Sequence, residues 1–422
     1  MISNHISTDS ERNTTMAVHI IDEARRCLQC KKPICIEGCP INTNIPKMIQ
    51  LLLDGEIDQA GQMLFDNNPM SLICSLVCNH ESQCEGHCVL YRKNNAVHIS
   101  SIEQYISDSY FDKMQLETSE HKRGMVAVIG AGPAGLTISF VLRRMGYDVT
   151  IFDSKDKIGG VLQYGIPEFR LPKSILERYR SKLLHMGVRI RPNTTIGGAL
   201  EIEDLFRDGY LSVFIGTGVW RPNILKIPGE SLGNVHYAIN YLANPDAFVL
   251  GDRVAIIGMG NAAMDVARTI LRHGSRHVTL FELSERAAAN EHELKYAKLD
   301  GAKFEYNMAV QRIEVTGPVF KKVIRDEQGN QIALSNEEYK EDADSVIIAI
   351  SQKPLNRLVR TTEGLEAKKG GLLVTNEDGH TTREGVFAAG DVVLGAKTVV
   401  EAVAYSMGVA QSMHEYMQAL DQ

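Results

Sequence analysis

The spacing of apolar and polar positions along this chain changes several times, and each change predicts an element. Between residues 45 and 68, IPKMIQLLLDGEIDQAGQMLFDNN repeats apolar side chains at helical spacing and stops at Asn67-Asn68-Pro69. This predicts a small all-α domain over residues 1–112. The polar, charged stretch SDSYFDKMQLETSEHKRG (107–124) reads as a linker or connecting helix. The apolar run MVAVI from Met125 then predicts a short strand, followed by GAGPAGL and a helix reaching about Met145. A second strand, YDVTIFD, ends on Asp153. The same order returns in RVAIIGMGNAAMDVARTILRHG and HVTLFE, which ends on Glu282. Near the C-terminus GVFAAGDVV predicts a strand and turn, and KTVVEAVAYSMGVAQSMHEYM a helix. The pattern as a whole is that of an α/β protein with two Rossmann-like units behind a helical domain.

In a Rossmann unit the first glycine makes a tight turn, the second lets the backbone approach a pyrophosphate, and the third lets helix pack on strand. A carboxylate about twenty residues on binds ribose hydroxyls. Gly130, Gly132, Gly135 and Asp153 fill these positions in the first unit, and Gly258, Gly260, Ala263 and Glu282 in the second. Two such folds ask for two dinucleotides, and flavin with nicotinamide is the chemically sensible pair. Asp391, after Ala-Ala-Gly at a strand end that leads into a helix, suits the ribityl and phosphate chain of FAD. Chain order then assigns residues 124–245 and 356–422 to an FAD domain, with an NAD(P) domain over 246–355 inserted between them.

The 422 residues are 44% hydrophobic and 23% charged, which is ordinary for a globular protein. A formal charge of -7, with no basic run longer than three residues, argues against a nucleic-acid surface. The first twenty residues are polar, and no segment has the run of about eighteen apolar residues that a membrane span needs. A cytoplasmic protein with no membrane contact is expected.

Composition adds one unusual fact: the eight cysteines fall at 27, 30, 35, 39, 74, 78, 84 and 88, with none beyond. A reducing cytosol works against disulfides, and the second group lacks the paired spacing usual for zinc. Cys27-x2-Cys30-x4-Cys35-x3-Cys39-Pro40 is close to the ferredoxin run, in which three thiolates wrap one iron–sulfur cluster and the fourth, before proline, reaches another. By that logic Cys27, Cys30 and Cys35 share one cluster, Cys39 crosses to a second, and the later cysteines supply the remainder.

The cysteine runs, GAGPAGL, GGVLQYGIPEFRLPK (159–173), VFIGTG (213–218), GMGNAAMDVAR and FAAGD together resemble the small (beta) subunit of glutamate synthase. They are also similar to the N-terminal half and the bacterial small subunit of dihydropyrimidine dehydrogenase. The resemblance runs from about residue 20 to 418. It implies a disulfide-reductase-like pair of FAD and NAD(P) domains with an N-terminal iron–sulfur domain. In that family a nicotinamide gives hydride to FAD, and electrons leave singly through two 4Fe-4S clusters. A flavin must stand between the two, because hydride brings electrons in pairs and a cluster takes one.

The resemblance also implies ligands. Cys27, Cys30, Cys35 and Cys88 would hold the first cluster, and Cys39, Cys78 and Cys84 the second, with Glu103 as a fourth ligand and Cys74 a spare thiol. The alternative of four cysteines from each sequence group makes Cys74 a ligand. Asn79 stands where the family usually has proline. For FAD the resemblance points to Gly130, Gly132, Pro133, Ala134, Asp153, Gly160, Arg170, Gly390, Asp391 and Thr398, although Arg170 equally suits a surface ion pair. For the nicotinamide it points to Gly260, Asn261, Ala262, Glu282 and Ser351. NADPH-using relatives carry basic residues just after the second strand, where this chain has Glu282 and Leu283, so NADH is the favoured cofactor. Arg286 is the alternative phosphate contact. Hydride transfer between stacked rings needs no general acid or base, so no catalytic side chain is assigned.

Once two nucleotide domains and a cluster domain are accounted for, no stretch of about 250 residues remains for a substrate-reducing barrel. A larger catalytic subunit is therefore the expected acceptor of the electrons. The alternatives are the small subunit of an NAD-dependent dihydropyrimidine dehydrogenase, which GDVVLGAKTVVEAV favours, and a stand-alone NAD(P)H:acceptor oxidoreductase.

Overall fold

The computed structural model describes residues 19–93, 95–115 and 123–420. The polar N-terminus up to residue 18 and part of the expected linker, 116–122, lie outside the described residues. The helical pattern of 45–68 resolves into two helices, Ile45–Leu53 and Ile57–Asn67, broken at Asp54-Gly55. The Asn44 side chain caps the first by accepting from the Lys47 N–H at 3.3 Å. With helix Ile99–Phe111 they enclose a core of Met48, Ile49, Leu52, Leu64, Ile102 and Ile106.

Another helix, Ser71–Val77, faces the other way. Its Ile73 and Cys74 belong to the same hydrophobic core as Phe140 and Tyr179 of the first nucleotide unit. Phe65 meets Phe140 edge-on at 5.5 Å and Phe111 packs on Tyr179 at 4.4 Å, while the Tyr179 hydroxyl donates to the Pro69 carbonyl at 3.0 Å. Burying large rings and satisfying the one hydroxyl joins the two domains through shared core.

The first nucleotide unit is a five-stranded parallel sheet in the order Val386–Ala388, Tyr210–Ile215, Met125–Ile129, Asp148–Phe152, Arg189–Arg191. The C-terminal strand thus lies in the sheet begun at Met125, and helix Val399–Leu420 packs on helix Pro133–Arg144. The second unit repeats the arrangement with Val235–Tyr237, Ser345–Ile348, Arg253–Ile257, His277–Phe281 and Lys303–Glu305. Its edge strand Val235–Tyr237 comes from chain ahead of the expected boundary at 246. An antiparallel sheet of Met308–Glu314, Gly317–Arg325 and Gln331–Lys340 is added to it, a feature the periodicity did not announce.

Where the chain leaves the first unit and returns, Arg221–Pro222 and Gln352–Lys353 pair as a two-stranded antiparallel ribbon. Among the described residues no helix is long and apolar enough to cross a membrane.

Candidate functional site

At the first unit, the turn after strand Met125–Ile129 meets two other loops. A Cβ on Gly160 would stand 2.9 Å from the Gly132 Cα, and one on Gly390 would stand 3.1 Å from the Ala134 Cβ. Gly130 takes φ +104°, and a Cβ there would lie 2.6 Å from the Gly216 carbonyl oxygen, so no larger residue fits this crossing. Pro133 opens the helix with Gly132 as its N-cap, so its first amides face the gap between these loops. Asp153 Oδ2 accepts from the Ala131 N–H at 2.6 Å and Oδ1 from the Lys155 N–H at 2.8 Å, which fixes its carboxylate at the turn. Burial raises its pKa, and those two amides oppose the rise.

The C-terminal stretch closes the same place. Asp391 Oδ1 accepts from the Lys397 N–H at 3.2 Å, and burial pushes its carboxyl up to about 6. Thr398 caps the last helix in a reciprocal capping box: its N–H and hydroxyl donate to Glu401 Oε2 at 3.0 and 2.5 Å, and its Oγ1 accepts from the Glu401 N–H at 3.4 Å. A cradle of glycines, helix N-terminal amides and two held carboxylates fits the ribose and diphosphate of FAD. Gly135→Ala tests it: the new Cβ would lie 1.9 Å from the Gly130 carbonyl oxygen, so the turn must open. The expected cost is about 1–3 kcal/mol, with loss of flavin on purification that absorbance at the flavin band would report.

The second unit repeats the turn, but nothing lies within 4 Å of a Cβ on Gly260, leaving open space before helix Asn261–Arg272. Asn261 Oδ1 accepts from the Asn290 N–H at 2.9 Å, and Ala262 is exposed. Glu282 holds its carboxylate at the turn as Asp153 does, accepting from the Met259 N–H at 3.0 Å and the Ser284 N–H at 3.2 Å. Arg286 is exposed, and Arg325 donates to the Leu283 carbonyl at 2.7 Å. Ser351 adopts φ +70° beside the ribbon, its carbonyl accepting from the Asn223 N–H at 3.2 Å.

Arg170 is drawn to the second unit. Its guanidinium pairs with Asp265 Oδ2 at 2.8 Å and with Glu293 Oε1 at 3.1 Å. Burial pushes Asp265 up to about 7, with Arg170 pulling it down and Glu293 pushing it further up. Arg170 thus forms an ion pair with buried partners, not the surface pair that was the alternative to a flavin contact. Those partners went unremarked in the sequence, although an aspartate on the apolar face of AAMDVARTIL is a signal that could have found one of them. Lys173 was missed as well: burial lowers it to about 8, and its ammonium donates to the Leu162 and Ile166 carbonyls at 2.6 and 2.5 Å.

The cysteines sort into two groups that do not follow sequence order. Cys27, Cys30, Cys35 and Cys88 line one cavity whose other walls include Ile45 and Ile49. Burial pushes Cys35 up to about 11, and the charges of Cys27 and Cys88 add to it. Burial likewise raises Cys84, which feels Glu103 and Cys39, while Cys78 is raised by Cys74, by burial and by Glu103 and Cys84. Glu103 is buried and pushed up to about 8, with no hydrogen-bond or ion-pair partner among the described residues.

Uncompensated thiols and a carboxyl that resist ionising in this way suit a cationic iron cluster, which favours the ionised ligands. Among the described residues no three of these groups are drawn tightly enough to hold a single metal ion, and a cluster asks for a wider cage. Cys74 is buried beside Cys78 in the core shared with the first nucleotide unit. Cys74→Ser is expected to leave iron per chain nearly unchanged, which iron analysis after anaerobic purification would check.

Residues 124–408 match the pyridine nucleotide-disulphide oxidoreductase family, and residues 5–115 match dihydropyrimidine dehydrogenase domain II, 4Fe-4S cluster. The glutamate synthase (NADPH) small chain of Azospirillum brasilense is 33% identical, with 94% of this chain and 89% of that protein covered. This chain belongs to the glutamate synthase small-chain family. The NAD-dependent dihydropyrimidine dehydrogenase subunit PreT of Escherichia coli is also 33% identical, with 94% of each chain covered. Among solved structures, Mycobacterium tuberculosis FprA in complex with NADPH superposes with a TM-score of 0.60 at 16% identity, covering 71% of this chain and 85% of that one. The thioredoxin reductase of T. acidophilum gives 0.54 at 22% identity, covering 70% and 98%. These two likenesses speak to fold alone. The protein is a flavin and iron–sulfur oxidoreductase of the glutamate synthase small-chain or PreT type, with dinucleotide units for FAD and NAD(P)H and a 4Fe-4S domain.

Proposed function

We propose that this chain is an electron-input subunit that oxidises NAD(P)H, with NADH favoured, and delivers electrons one at a time to a larger partner. When bound, FAD exchanges electron pairs with a nicotinamide and single electrons with two 4Fe-4S clusters. The chain's own part is positioning. The Gly130 turn, Asp153 and the Asp391–Thr398 stretch hold one dinucleotide, and the Gly258 turn with Glu282 holds the other.

The observation that carries the reading is the placement of the second thiol group. Cys39 and Cys78 pack against the core that the helical domain shares with the first nucleotide unit, whereas Cys27, Cys35 and Cys88 pack against the helical core alone, to which Cys84 also belongs. The Cys39–Cys78–Cys84–Glu103 group therefore comes first on a path leading away from the flavin. The Cys27–Cys30–Cys35–Cys88 group ends that path among the exposed side chains of Leu28, Ile34 and Val89.

The isolated chain is expected to reduce ferricyanide with NAD(P)H and to form no glutamate from glutamine and 2-oxoglutarate. Substantial glutamate from the isolated chain would refute the division of labour. A second reading, the small subunit of a pyrimidine reductase, is favoured by the carboxylate of Glu282 held where NADPH users carry basic residues. Adding a purified large subunit of each type, and measuring glutamate formation against pyrimidine reduction, separates the two.

A further inference from the structure

The segment Pro167–Pro172 belongs to the flavin unit and is braced there. Leu171 is fully buried in that unit's core, the Arg170 and Leu171 N–H groups both donate to the Pro167 carbonyl at 3.0 Å, and the Lys173 N–H donates to Glu168 Oε1 at 3.1 Å. From this loop Phe169 and Arg170 project onto the nicotinamide unit. There Arg170 is divided between two helices, reaching Asp265 of Asn261–Arg272 and Glu293 of Glu291–Leu299. Glu293 is shared with Arg268 at 3.1 Å, and Arg268 reaches Asp300 at 3.0 Å, where Arg272 joins it. Phe169 lies under two of these cations, 4.7 Å from the Arg268 guanidinium and 4.1 Å from that of Arg272. The helical domain touches the same helix, with the His292 N–H donating to Glu81 Oε2 at 3.2 Å.

The location gives this network its meaning. Helix Asn261–Arg272 starts at the turn that faces the nicotinamide dinucleotide, and Pro167–Pro172 follows the Gly159–Gly160 turn that closes on the flavin cradle. The only covalent path between the two units among the described residues is the short Arg221–Pro222 and Gln352–Lys353 ribbon. A ribbon of two short strands leaves rotation about it cheap. Arg170, 15% exposed, and Asp265, 5% exposed, are far less accessible than an ornamental surface pair. Buried ion pairs add little net stability, because desolvation offsets attraction, but they penalise every arrangement that separates the partners. Such a network selects one register between two bodies.

We propose that Arg170, clamped between Asp265 and Glu293 with Phe169 stacked beneath Arg268 and Arg272, is a positioning residue that fixes the nicotinamide unit over the flavin unit. It rests on the reading of the two units as NAD(P)H and FAD sites. Misplacing two reacting groups by about 1 Å costs on the order of a hundredfold in rate, so the clamp acts on the speed of flavin reduction rather than on nucleotide affinity.

The test compares wild type with R170K, R170Q, D265N and R170Q/D265N in two measurements. Stopped-flow reduction of the bound flavin by saturating NADH is expected to slow about ten- to a hundredfold in R170Q and D265N. The double variant should be no slower than the slower single variant, R170K should recover part of the rate, and flavin content and nucleotide Kd should hold within about threefold. Hydrogen exchange, which needs no turnover, is expected to show protection lost in R170Q at both 166–171 and 291–299. Normal flavin reduction with protection retained would make the pair ornamental. Flavin loss with unchanged exchange at 291–299 would make Arg170 a flavin ligand instead. A wild type that neither NADH nor NADPH reduces would overturn the reading of the two sites, and the exchange measurement would still decide the clamp.

Discussion

Cys39→Ser is expected to lower iron from about eight atoms per chain to about four, and Cys39→Ser/Cys84→Ser to lower it no further. The expectation follows from the crossing of the sequence groups: Cys84 feels the charge of Cys39, whereas Cys35 feels those of Cys27 and Cys88. If each cluster instead took its four ligands from one sequence group, the double replacement would destroy both clusters and leave almost no iron. Cys27→Ser/Cys88→Ser gives the complementary measurement, again about four atoms under the crossed arrangement. Iron and acid-labile sulfide should fall together, and wild type returning four or fewer iron atoms at full occupancy would end the two-cluster proposal.

NADH is expected to exceed NADPH by about ten- to a hundredfold in kcat/KM for ferricyanide reduction. Glu282 is held at the strand end by two backbone N–H groups, so turning it out to solvent would leave the Met259 and Ser284 amides without their acceptor. A phosphate brought to about 4 Å from it meets repulsion of up to about 4 kcal/mol per unit pair at an effective dielectric near 20. Exposure and salt reduce this to roughly 1–3 kcal/mol, which sets the size of the preference. The competing cation, Arg286, is solvent-exposed, and Arg325 is engaged with Leu283, Asn307 and Gly329. Glu282→Arg with Leu283→Arg should weaken or reverse the preference, and a wild-type kcat/KM higher for NADPH would show that the carboxylate does not set it.

What the sequence disclosed and what it concealed divide along the length of the interactions. The turns at Gly130 and Gly258, and the carboxylates that close them, are local, because a glycine turn must follow its strand directly and the acid ends the next strand. The grouping of Cys88 with Cys27 reached the sequence reading only through resemblance, since spacing alone does not say which distant thiols converge. Arg170 was visible as a residue, but its partners stand 95 and more positions away, and a charge gives no sign of what it will face. The antiparallel sheet over 308–340 was hidden for another reason. Its last strand is largely exposed and carries Asn336, Glu337, Glu338 and Lys340, so apolar alternation is absent.

The strand Val386–Ala388 has a consequence for biosynthesis. It completes a sheet whose first strand leaves the ribosome some 260 residues earlier, while the nicotinamide unit, running from Val235 to Ile348, is whole well before that. The inserted unit is therefore free to fold during translation, and the sheet around it must wait with an open edge until Val386–Ala388 emerges. Flavin capture becomes a late event, and the nascent chain passes through an interval in which Tyr210–Ile215 exposes an unpaired apolar edge to chaperones or to neighbouring chains. A stop codon ahead of Val386 would leave that interval permanent, giving a product with an intact nicotinamide unit and no lasting hold on flavin.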